Sequence, residues 1–132
     1  MYEQGFDEDA VEKALDETWA QRALYVADSD DEAFAVATQA LKRYRHHLDE
    51  ARRRYNPGGL PARKPDAPPS PNEIFEHAFL AGTPQRVAGQ IAALKDVGVR
   101  NLLLNVNVGQ IPSEQVEGSM QLFGEKVLPL FR

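Results

Sequence analysis

Few side chains in this sequence are of types that do chemistry, and their spacing limits what they can do. The three histidines, His46, His47 and His77, include no pair four residues apart, the spacing that sets two metal ligands on one helical face. Cysteine is absent, which removes thiolate nucleophiles and cysteine-held zinc or iron–sulfur centres. Gly-x-Ser-x-Gly does not occur, no Ser-His-Asp set assembles, and so no nucleophile is nominated. Neither Gly-x-Gly-x-x-Gly nor the P-loop pattern is present to make a specific phosphate cradle. What remains are residues at which strands give way to helices: Asp28, Ser29, Gly82, Thr83, Asn105, Asn107, Gly109 and Gln110. Parallel α/β architectures bind ligands at such places. Ser29 and Thr83 read first as helix caps, and loop capping is the simpler account of Asn105 and Asn107, although amides at the end of a buried strand need partners. Gly82-Thr83 at a helix start attracts anions only weakly and without specificity.

The elements that must position these residues follow from periodicity. A first helix starts at Asp7, with Phe6 placed to staple against Val11, and its stripe is Val11, Ala14, Leu15 and Trp19. Ala23 to Ala27 is a short apolar strand, ended by Asp28-Ser29-Asp30-Asp31-Glu32, in which Ser29 and Glu32 form a capping box. The second helix repeats Ala33, Ala37, Leu41, Tyr44, Leu48, Ala51 and Tyr55 at spacings of three and four until Asn56-Pro57-Gly58-Gly59 stops it. Residues 56–72 hold six of the nine prolines and are expected to form a mobile loop. Ala78 to Ala81 is a second strand. It feeds Gly82-Thr83-Pro84, a turn, a cap and a first helical residue that needs no N–H, and the third helix turns in Val87, Ile91 and Leu94 before Gly98 closes it. Leu102 to Val106 is apolar without alternation, the pattern of a parallel strand covered on both faces. A last helix, capped by Ser113, carries Val116, Met120, Phe123, Val127 and Leu130. The alternation of strand and helix predicts right-handed crossovers and a parallel sheet, with residues 1–132 as a single α/β domain.

Composition sets the outer limits. The 132 residues carry 15 basic and 20 acidic side chains, a formal charge of −5, which opposes phosphate and argues against a nucleic-acid partner. Lys42, Arg43, Arg45, Arg52, Arg53 and Arg54 gather around His46 and His47, but Asp49 and Glu50 interrupt them and helical periodicity spreads them over several faces. They read as a solvated helix surface. No run approaches the roughly 18 apolar residues of a membrane span, and the acidic N-terminus lacks a signal peptide's pattern, so the expected compartment is the cytoplasm. A complete (β/α)8 barrel takes about 250 residues and is excluded by length.

Three stretches carry a family resemblance: Ala78-Phe79-Leu80-Ala81-Gly82-Thr83-Pro84-Gln85-Arg86-Val87, Leu24-Tyr25-Val26-Ala27-Asp28-Ser29-Asp30-Asp31-Glu32-Ala33, and Leu102 to Arg132, above all Glu125-Lys126-Val127-Leu128-Pro129-Leu130-Phe131-Arg132. Together, in order and spacing, they resemble the late part of luciferase-like, flavin-dependent monooxygenases, over roughly Ala23 to Arg132. The resemblance implies three βα units of a (β/α)8 TIM-barrel-type fold and, for the complete enzyme, reduced flavin, either FMN or a deazaflavin. It transfers no catalytic residue and no metal. Gly82, Thr83, Asn105, Asn107 and Gly109 match the cofactor-side face and are at most pocket-wall residues. With all helices on a barrel's outer side, the inner sheet face and both edges would lie bare, so the chain is expected to self-associate, as a dimer, or to bind the missing N-terminal barrel part. Alone it is expected to bind no flavin tightly. The other class the sequence leaves open is a free-standing, non-catalytic α/β interaction or structural module derived from that family.

Overall fold

The structure, a computed structural model, describes residues 7–58 and 79–132. Phe6, Ala78, His77 and most of the proline-rich stretch, with the staple, strand start and mobile loop expected there, lie outside the described residues.

Local chemistry explains most element boundaries. Helix α1, Glu8–Glu17, starts where the Asp7 carboxylate accepts from the Ala10 N–H at 2.6 Å. Strand β1 then runs Trp19–Val26, so Trp19 opens a strand rather than closing a helical stripe, and it is 65% exposed. Helix α2, Asp30–Tyr55, is capped by Ser29, whose hydroxyl accepts from the Glu32 N–H at 3.2 Å. Strand β2, Phe79–Gly82, leads to helix α3, Pro84–Asp96, capped by the Thr83 hydroxyl on the Arg86 N–H. Gly98, at φ +104°, closes α3 as its N–H bonds back to the Lys95 carbonyl. Strand β3 is Asn101–Asn105, and helix α4, Ser113–Leu122, continues through a π-helical turn, Phe123–Val127, into a 3₁₀ turn, Leu128–Phe131. Pro112 occupies the capping position of α4 and Ser113 is its first helical residue, so the expected Ser113 cap bond does not form.

The sheet is parallel throughout, in the order β2-β1-β3. The expected alternation of strand and helix is present, but the order differs from that of three successive barrel strands, each of which would lie beside the next. Here β3 skips β2 and pairs with β1, in register from Trp19 opposite Asn101 to Ala23 opposite Asn105. The two crossovers therefore run in opposite directions across the sheet, and equal handedness puts their helices on opposite faces. On one face Ala33, Ala37, Ala40 and Leu41 of α2 pack on Ala23, Tyr25, Phe79 and Ala81. On the other, Val87 of α3 and Val127 pack on Leu24, Val26 and Leu80. The bare inner face expected of a barrel segment is thus covered.

Three buried stripes differ from expectation for reasons of geometry. The 26 residues of α2 rise about 39 Å, whereas the eight of β1 span about 26 Å, so the helix outruns the sheet and Tyr44, Leu48 and Tyr55 are exposed. Among the described residues strand β3 is an edge: Leu102 and Leu104 pack on one face, while Leu103 is 52% exposed on the other. In the regular part of α4, Val116 and, three residues on, Ser119 face inward while Met120 is exposed, and the π-helical turn that follows brings Val127 back into the core while Leu130 stays exposed. Among the described residues, no helix is long and apolar enough to cross a membrane.

Candidate functional site

The carboxyl end of a parallel sheet collects the residues nominated from sequence, and here they fall into separate groups. Beyond β2, the Thr83 N–H donates to Asp30 Oδ1 at 2.8 Å, and Arg86 Nη1 stands 3.7 Å from Asp30 Oδ2 while its guanidinium lies over the Phe34 ring. A Cβ at Gly82, at φ +144°, would fall 2.6 Å from the Arg86 side chain and 2.8 Å from Asp30 Oδ1, so glycine is what allows α2 and α3 to start this close together. Asp30 thus sits at the N-terminus of α3, where an anion would bind, and supplies the negative charge itself.

Beyond β3, Asn105 Oδ1 accepts from the Asn107 N–H at 3.2 Å, an Asx turn in an exposed loop. Gly109, at φ +72°, lies against α2, where a Cβ would come within 1.9 Å of the Ala40 carbonyl oxygen. Arg43 Nη1 donates to the Gly109 and Gln110 carbonyls at 3.4 and 3.3 Å, and Gln110 itself has φ +59°. One member of the basic run is therefore a loop clamp. His46 and His47 meet edge to face on the exposed side of α2, with His46 Nε2 3.9 Å from Glu50. Strand β1 lies between the Gly82-Thr83 group and the Asn105-Asn107 group, and Gly109 belongs to a packing contact; none of the five lines either of the two cavities described below.

A cleft of about 470 Å³ does open at the end of β1, where the strand order reverses and ligands bind in open α/β sheets. Asp28 and Glu32 from the β1–α2 junction face Glu114 and Glu125 from the last helical segment across it, with Tyr25 and Ser119 at its base. Among the described residues no basic side chain lines it, so the carboxylates there repel phosphate and favour cations. Burial, with a smaller contribution from Glu32, pushes the Tyr25 phenol above its ordinary value. The buried Ser119 hydroxyl accepts from the Val26 N–H at 2.8 Å, replacing the strand partner that β3 would have supplied had it run further. This bond fixes α4 as it passes from one layer to the other beside the end of β3. Of these lining residues only Asp28 stands among the nominated candidates. Ser119 carries no signal in sequence, because the helical stripe there points to Met120.

A second, more apolar cavity of about 620 Å³ lies between α3, β3 and the C-terminal turns, lined by Ile91, Leu94, Leu102, Leu104, Phe123 and Phe131 with Lys95 and Arg100 beside them. Arg100 is engaged by α1: it donates to Asp16 Oδ1 at 2.6 Å and to Glu12, and these hydrogen bonds, Asp16's first, raise its pKa. Among the described residues no group of three or more histidines and carboxylates converges as metal ligands.

Among the described residues, the nominated positions do not fit a flavin phosphate. The helix terminus that could take it is closed by Asp30, and the cleft at the reversal point has the wrong sign. The chain matches no known protein family and no curated protein.

Proposed function

We propose that the chain is the C-terminal part of a luciferase-like, flavin-dependent monooxygenase or oxidoreductase of the cytoplasm, three βα units of a (β/α)8 barrel that are inactive without the N-terminal part. What supports this reading is where the three resembling stretches fall. Asp28 to Glu32, Gly82 to Pro84 and Asn105 to Gly109 each follow a strand, at the carboxyl end of one parallel sheet, the end at which barrel enzymes build their sites. Gly82, Thr83, Asn105, Asn107 and Gly109 would contribute wall and packing, not charge. The phosphate anchor and ring pocket then belong to the missing strands, and reduced FMN or a deazaflavin, when bound there, supplies the oxygen-activating or hydride chemistry.

The strand order favours a second reading, a free-standing, non-catalytic α/β interaction or structural module derived from that family. Both sheet faces already carry helices, and a barrel would need β3 to move from β1 to β2. Co-expression with a tagged polypeptide carrying the first five βα units decides between them. A stoichiometric complex that retains flavin through purification supports the enzyme reading, and a chain that stays separate and flavin-free supports the module.

A further inference from the structure

The outer edge of β3 is built unlike an edge that avoids partners. Natural sheets blunt such edges with proline, lysine or a covering helix. Asn101–Asn105 has neither proline nor charge, its central Leu103 is half exposed, and among the described residues no strand pairs with its outer side. The sequence of the strand, Asn-Leu-Leu-Leu-Asn, is moreover the same read in either direction.

We infer that β3 is a homodimer interface, in which two copies pair their β3 strands antiparallel about Leu103 into one continuous six-stranded sheet. A two-fold interface needs a self-complementary surface, and the palindrome provides it. Centred on Leu103, the pairing sets Leu103 against Leu103 of the second copy, Leu102 against Leu104, and Asn101 against Asn105. Because antiparallel partners share a face, every leucine meets a leucine, and the two asparagines, whose amides are held within their own chain by the Asp16 and Thr18 carbonyls and the Asn107 N–H, bring no charge to the contact, whichever alternate set of backbone groups points outward. On one face the apolar cavities beside Leu102 and Leu104 are brought edge to edge. On the other, the Leu103 pair forms beside Gln21, its register partner on β1, with the exposed Trp19 two residues along on the same face, opposite Asn101. No like charges are set opposite each other, and Arg100, the nearest cation, is already held by Asp16 and Glu12. At the opposite edge of the sheet all four residues of β2 are buried, so pairing closes as a dimer rather than growing as a fibre.

This inference concerns the chain by itself: a closed barrel would pair the outer edge of its last strand with its first, so assembly with upstream βα units would replace this contact, and the test is made on the chain alone. Sedimentation equilibrium at micromolar concentration should give twice the 14.7 kDa chain mass. Leu103→Lys, which adds a charge at a site already exposed in the monomer, should weaken association about 100-fold with an unchanged circular dichroism spectrum, whereas Val97→Lys, at an exposed residue outside the strand, should not. The chain's lack of cysteine allows a second, site-specific readout. Leu103→Cys should oxidise to a covalent dimer, because directly opposite antiparallel residues have Cα atoms about 4.5–5.5 Å apart, inside the range of a disulfide. Val97→Cys should not cross-link. A monomeric chain, a dimer that survives Leu103→Lys, or a dimer whose Leu103→Cys form stays reduced under oxidant would each overturn the inference. If Leu103→Lys fails to fold, the cross-link decides.

Discussion

Replacing Ser119 by alanine tests whether α4 is held at the end of β1 by one hydrogen bond. Ser119 and Val26 are each 1% exposed and 93 residues apart in sequence, and the Oγ accepts the Val26 N–H at 2.8 Å. The substitution removes the acceptor and leaves a buried backbone N–H without a partner, a loss of about 1–3 kcal/mol. The acidic cleft borders both residues, and a water entering from it can take up part of that loss, which puts the expected value at about 1–2 kcal/mol. For a chain of this length that corresponds to a fall in melting temperature of about 3–10 °C. Urea denaturation gives the free energy. Amide exchange gives the location: the Val26 amide should exchange about 5–30-fold faster, beyond any change at Leu24 or Leu80. A loss under about 0.5 kcal/mol, with Val26 exchanging no faster than those neighbours, would refute the reasoning and mean that α4 is held by apolar packing alone.

Two further outcomes follow from the same geometry. Gly109→Ala forces a Cβ against the Ala40 carbonyl at a residue with φ +72°, and should lower stability by about 2–4 kcal/mol in urea denaturation, whereas Gly89→Ala, in open space on α3, should be neutral or stabilising. Raising the pH past 10 should destabilise the fold through Tyr25. Its phenol has a higher pKa folded than unfolded, so the unfolded chain releases its proton first, and stability is full below the ordinary phenol value and falls as pH climbs toward the folded one. Phenolate absorbance should show a late-titrating step, and Tyr25→Phe should abolish that step and flatten the alkaline limb of the stability curve.

How far the fold can be read from sequence depends on how local its causes are. Asp7, Ser29 and Thr83 cap their helices as expected, because a cap is a bond between residues three apart. The buried half of β1 and the parallel pairing are legible in the same way, from apolar runs joined by helices. Strand order is not. Whether β3 lies beside β2 or β1 depends on the direction of the second crossover, which leaves no mark in periodicity, and from it follow the two-sided helix cover and the exposure of Leu103. The candidate site divides similarly. Gly82, Asn105 and Gly109 are recognisable as turn-formers, yet what they touch, Asp30, Asn107 and Ala40, is set mostly by how the layers meet. Ser119 is not legible because Ser119 and Met120, three and four residues after Val116, fit the helical spacing equally well and the apolar one is the natural choice, and Trp19 is misleading because its spacing continues that of α1 into a strand.

The most direct measurement of the proposed function is a titration of oxidised and reduced flavin mononucleotide, followed by fluorescence or calorimetry, into the chain alone and into its mixture with the upstream βα units. With Asp30 closing the only nominated helix terminus, the chain alone should bind at millimolar affinity or weaker, and the mixture should bind in the micromolar range or tighter. Micromolar binding by the chain alone, or none by a mixture shown to associate, would contradict the account.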